Sequence, residues 1–217
     1  MDGAPGYARL FRQCRCAERR AGSGLLGRPF EAEYNGLVGY LDPTSAAVGY
    51  VSSVAANSAL GGTLENFSPA IDFFKKLAAN GAIVTKQTSY ARVVSGEIPV
   101  LLDYDFNAYR AKYTEKGKFA FVIPCEGTVS FPYVMTLVKG APHMDAAKKV
   151  LDYLLSDKGQ LFWTTAYLRP AIPVEMPKDI ADRFLPASDY QRAKAIDWAK
   201  AQAAQKAYSE RYLAEVR

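Results

Sequence analysis

Short runs of branched apolar residues alternate with capped, helix-patterned segments, and this alternation constrains the chain more than anything else in it. The clearest instance is Thr85 to Arg110, TKQTSYARVVSGEIPVLLDYDFNAYR. Thr88 or Ser89 can cap a helix there, Val93 and Val94 lie within it, and Gly96 stops it. Ile98 to Leu102 is an apolar run with the pattern of a strand covered on both faces. Asp103, Tyr104 and Asp105 follow, where a parallel sheet presents its loops to a ligand.

The same order recurs along the chain. Leu37 to Leu41 reads as a strand that Asp42-Pro43 breaks, and Thr44 or Ser45 then caps a helix ended by Gly61-Gly62. The free N–H groups at such a start attract anions or polar ligand atoms, although capping alone also accounts for these hydroxyls. Ser68 and Pro69 open a helix that reaches Asn80, with Ile71, Phe74 and Leu77 on one face. Further helices are predicted at Phe106–Tyr113, Met144–Leu155, Gln160–Tyr167 and, as one long element, from Ser188 towards Tyr212. Phe119–Ile123 and Tyr133–Val138 read as strands. Strands alternating with helices predict an α/β sheet with crossover connections.

Composition narrows the function classes. With 217 residues, 49% of them hydrophobic, the chain can form one large domain or two small ones. Its net charge of +5 is dispersed, with no basic stripe interleaved with aromatics, which argues against nucleic acid as a partner. No apolar run is long enough to cross a bilayer. Residues 1–33 carry Arg9, Arg12, Arg15, Arg19, Arg20 and Arg28 with little apolar periodicity, and read as an atypical basic leader, disordered or non-native, without a secretory signal. Three cysteines make no disulfide framework. Cys14 and Cys16 are spaced too tightly for a zinc site, while Cys125 and His143 lack partners at catalytic spacing. No metal or cofactor is called for.

Asp103 and Asp105 would share a face if the strand persisted, and paired carboxylates can bind a cation or share a proton. That admits a small α/β metal-dependent hydrolase or phosphotransferase. Against it, the chain offers no convincing base, nucleophile or second metal cluster, so it reads as non-catalytic. Asp105 equally suits the cap of the helix starting at Phe106. Tyr90, Tyr104 and Tyr109 could wall a cleft, where a cationic ligand would gain from their faces.

The phrases YNGLVGYLDPTSA, KQTSYARVVSGEIPVLLDYDFNAYR and FVIPCEGTVSFPYVMTLVKGAPHMDAAKKVLDYLLSDKGQ, in that order, resemble the extracellular solute-binding proteins of bacterial ABC importers. The likeness is to the branch that binds iron(III), polyamines, thiamine and organophosphonates. It covers Tyr34 to about Tyr167 well and the tail more loosely. The resemblance implies a type II periplasmic-binding fold of two α/β lobes with a small charged solute held between them. It implies periplasmic localisation and delivery to an ABC permease in the inner membrane. Mapped here, residues 34–127 would form the second lobe and 128–217 the C-terminal portion of the first, whose N-terminal half and signal peptide are missing from the sequence as written. The expected ligand-lining residues are Thr44, Ser45, Thr88, Ser89, Asp103, Tyr104 and Asp105. A polyamine, an iron(III) complex or an organophosphonate would each suit some of them. The stretch Asp103-Tyr104-Asp105 lacks the adjacent tyrosine pair of the family's iron binders, which speaks against iron.

Overall fold

The computed structural model describes Leu26, residues 30–87 and residues 90–217. Two compact units result: Met1–Ser130 together with Pro186–Arg217, and Phe131–Leu185.

The first unit is built on a parallel sheet. Strands β1 (Val38–Leu41), β2 (Ile83–Thr85) and β3 (Val100–Leu101) lie in the order β2-β1-β3. Leu41 pairs with Thr85 on one side of β1, and Gly39 with Leu101 on the other. Helices α1 (Ala47–Ala59) and α2 (Ser68–Ala79) connect β1 to β2, α3 (Tyr90–Val94) connects β2 to β3, and α4 (Asp105–Tyr113) follows β3. All four residues of β1 are buried, which is why its sequence is apolar rather than alternating. Gly39 is required where it stands, because a Cβ there would lie 2.7 Å from Ile98 Cγ2, and Ile98 is fully buried.

The rest of the unit covers this sheet. A short helix α8 lies at Ala187–Tyr190, and strand β5 (Ala193–Ala195) pairs in parallel with β4 (Thr128–Ser130). The long helix α9 (Trp198–Glu215) then adds Tyr208 and Tyr212 to an aromatic core with Tyr40, Tyr50, Phe67 and Phe74. The Tyr40 and Tyr212 hydroxyls meet at 2.7 Å, so two buried polar groups satisfy one another inside that core.

Several sequence expectations change here. The final helix is not one element from Ser188: α8 ends at Tyr190, β5 intervenes, and Asp197 then caps α9, its side chain accepting from the Lys200 amide. Neither Thr44 nor Ser45 caps α1, which begins after Ala46 without a side-chain cap. Phe119–Ile123 has strand composition but forms no ladder, and β3 is the edge of its sheet. A strand needs hydrogen-bonding neighbours that composition alone does not supply. Cys125, which the sequence shows without a pairing framework, is disulfide-bonded. The basic leader lies outside the described residues apart from Leu26 and its last four positions.

The second unit contains α5 (Met144–Leu155), α6 (Asp157–Trp163) and α7 (Lys178–Ala181). Ser156 separates the first two, its hydroxyl accepting from the Gly159 amide at the start of α6. Gln160 is the centre of the unit, donating to the Leu154 carbonyl at 2.8 Å and accepting from the Ala171 amide at 2.7 Å. The strand expected at Tyr133–Val138 is absent among these residues, and Tyr133, Val134 and Val138 are exposed. None of the buried hydrophobic residues of the described chain belongs to this unit.

Candidate functional site

The carboxyl ends of β1, β2 and β3 finish at one edge of the sheet, the place where open parallel sheets bind ligands. Continuing the register of β1 with β3 by two residues sets Asp103 level with Leu41, next to Asp42. Each of these strand ends thus releases an aspartate, and both aspartates turn back on the chain that follows.

After β1, Asp42 Oδ1 accepts from the Thr44 amide at 2.9 Å and from the Thr44 hydroxyl at 2.7 Å. The Asp42 carbonyl accepts from the Ser45 and Ala46 amides. Its second carboxylate oxygen meets Arg217 Nη1 at 3.1 Å. Asp42 is buried, and the guanidinium carried past the end of α9 compensates its charge. Gly49 makes this packing possible: a Cβ there would lie 2.2 Å from the Leu41 carbonyl oxygen, so α1 rests directly on the end of β1.

After β3, Asp103 Oδ1 accepts from the Tyr104 amide at 2.7 Å and from Asn107 Nδ2 at 2.8 Å. Asn107 is one helical turn on, so the first turn of α4 holds the carboxylate in place. Asp103 Oδ2 is buried without a hydrogen-bond partner. Burial pushes the Asp103 carboxyl above its ordinary range, and the bonds from Asn107 and the Tyr104 amide offset only part of that rise. Asp105 Oδ1 accepts from the Phe106 amide at 2.8 Å.

Asp103 and Tyr104 line a cavity of about 1450 Å³ in the first unit. Its walls come from β3 (Val100, Leu101), from α3 (Tyr90, Val93) and from the extended run through Phe119 and Phe121. Tyr104 stacks on Phe106 with ring centroids 5.3 Å apart. Tyr109, expected beside Tyr90 and Tyr104, instead packs on Phe121, its hydroxyl 2.5 Å from that of Tyr190.

The expected site residues therefore scatter. Asp103 and Tyr104 share the cavity. Thr44 and Ser45 lie at the neighbouring strand end, Thr44 engaged with Asp42 and Ser45 exposed. Thr88 and Ser89 fall outside the described residues. Asp105 does not share a strand face with Asp103, because β3 stops at Leu101 and Asp105 already belongs to α4. That removes the paired-carboxylate geometry a metal-dependent hydrolase would use. Asn107 and Arg217 went unnoticed in the sequence, and Asp42 read only as a strand breaker. Only Asn107 carried a local signal, its four-residue spacing from Asp103.

Residues 30–204 match the profile of the family described as bacterial extracellular solute-binding protein. The chain belongs to that family. Among solved structures, one from Bordetella parapertussis described as an extracellular solute-binding protein is similar, with a TM-score of 0.70 at 18% identity over 88% of this chain. A periplasmic thiamin binding protein gives 0.64 at 20% identity over 92% of this chain. The periplasmic binding protein AfuA from Actinobacillus pleuropneumoniae, with fructose-6-phosphate bound, gives 0.64 at 20% identity over 96%. These likenesses identify the fold as the α/β type II periplasmic-binding fold. An uncharacterized protein of Haemophilus influenzae is 32% identical over 131 residues, 59% of this chain. The chain spans 60%, 60% and 63% of the lengths of the three solved structures and 36% of the Haemophilus protein.

Proposed function

We propose that the chain acts in the periplasm as the solute-binding component of an ABC importer, taking up a small charged solute for delivery to an inner-membrane permease. The observation that carries this reading is Asp103, a half-buried aspartate at a parallel strand end with one carboxylate oxygen buried and unpartnered, lining a cavity in a member of the solute-binding family. Asp103 and Tyr104 would touch the solute. Thr44, Ser45 and Asp105 stand at the same sheet edge, and Thr88 and Ser89 follow β2 in sequence, so they complete the candidate set. The thiamin and fructose-6-phosphate named for two similar structures support a small organic solute over a macromolecule. Residues 34–127, joined by the 186–217 segment that shares their core, would act as one lobe of such a protein, and 131–185 would belong to the other.

The test is calorimetric titration of the chain with polyamines, iron(III) chelates and organophosphonates. Saturable binding of one class is expected, weakened about tenfold or more by Asp103→Ala. Magnesium-dependent turnover of a phosphate ester, lost in that variant, would overturn the reading.

A further inference from the structure

We propose that the strand end at Asp103 accepts a protonated nitrogen of an organic cation, an ammonium or guanidinium with N–H to donate, rather than an anion or a metal ion. This names the solute class of the site just proposed and rests on that reading.

Three observations converge. First, Asp103 has one oxygen fully engaged and one buried without a partner. A buried carboxylate in that condition is stabilised by a donor that brings both a hydrogen bond and positive charge. No such donor comes from the chain among the described residues: the groups acting on Asp103 are the neutral Asn107 side chain and the Tyr104 amide. The lysines that line the same cavity, Lys112 in the last turn of α4 and Lys116 and Lys118 beyond it, are exposed, and none of them is among the groups acting on the Asp103 carboxyl.

Second, several of the amides nearest these two strand ends are already occupied. At the start of α4 the Tyr104 and Phe106 amides donate to Asp103 and Asp105. At the approach to α1, the Thr44 amide donates to the Asp42 carboxylate, and the Ser45 and Ala46 amides donate to the Asp42 carbonyl. Helix starts attract anions through free N–H groups, and at these strand ends the chain's own carboxylates and a carbonyl have taken the amides that immediately follow the strands.

Third, the walls suit an organic cation. Tyr90, Tyr104, Val100 and Phe121 line the cavity and supply aromatic and apolar surface for a carbon skeleton. A ferric ion asks instead for several hard anionic donors, and among the described residues no group of three or more acidic, histidine or cysteine side chains is gathered for one.

The experiment is isothermal titration of the full chain with 1,4-diaminobutane, 4-guanidinobutylamine, tetramethylammonium, methylphosphonate and fructose 6-phosphate. Binding of at least one N–H cation is expected, about tenfold or more tighter than tetramethylammonium, which has charge but no donor. Asp103→Asn should weaken that cation by about tenfold or more. Asp72→Asn, on an exposed face of α2, should leave it unchanged. Preference for either phosphate-bearing probe, or cation binding indifferent to Asp103→Asn, would overturn the inference while leaving solute binding intact. Failure of every probe to bind would overturn both.

Discussion

Asp42 and Asp103 occupy equivalent places at the ends of neighbouring parallel strands, and each folds back to accept amide hydrogens from the residues that follow. The fold treats them differently. Asp42 receives Arg217, so its burial is electrically complete. Asp103 receives only neutral donors and keeps one buried oxygen without a partner. A carboxylate the fold has neutralised is part of the architecture, whereas one left uncompensated is a cost the unliganded protein carries. The contrast teaches that two aspartates alike in sequence setting can be told apart by whether the rest of the chain supplies the counter-charge.

Substitutions on the Asp42 side should give the largest effects, all destabilising. Gly49→Ala drives a methyl into the Leu41 carbonyl and should cost about 3 kcal/mol in denaturant unfolding. Arg217→Ala leaves Asp42 buried and unpaired. Because the guanidinium is part-exposed, the expected loss is about 2 kcal/mol, below the full cost of breaking a buried pair. A second change, Asp42→Asn, made in that background should recover part of the loss, since no charge then remains to be buried. If Arg217→Ala proved neutral, the claim that the fold compensates Asp42 would fail.

The smallest expected effect has the opposite sign. Asp103→Asn removes a charge that nothing neutralises while keeping an acceptor for Asn107, and should raise the stability of the free chain by about 1 kcal/mol near neutral pH. Stability against pH sharpens this. Folding raises the Asp103 pKa, so the folded chain holds that proton more tightly than the unfolded one. The stabilisation this gives is complete below the ordinary carboxylate range, about pH 4, and is lost as pH rises through the raised value. Wild type should therefore lose stability over that window relative to Asp103→Asn, as unfolding midpoints measured across pH would reveal.

The legibility of the chain divides along similar lines. The α/β class, the βα order and the helices at Ser68–Ala79 and Met144–Leu155 were readable, because apolar periodicity and caps are local signals. Asp103 was readable as a strand-end residue for the same reason. What stayed hidden needed partners distant in sequence. Asp42 read as a chain breaker, since its counter-ion is the last residue of the chain. Phe119–Ile123 and Tyr133–Val138 read as strands on composition, while a ladder depends on neighbours that composition does not reveal. Asp105 was paired with Asp103 by a strand period that the chain abandons after Leu101.

The most direct test of the account is the unfolding free energy of wild type and Asp103→Asn, each with and without 1,4-diaminobutane or 4-guanidinobutylamine. The account predicts that Asp103→Asn is the more stable chain when free, and that a cation stabilises wild type but not the variant. A variant less stable than wild type, yet still stabilised by the cation, would contradict it.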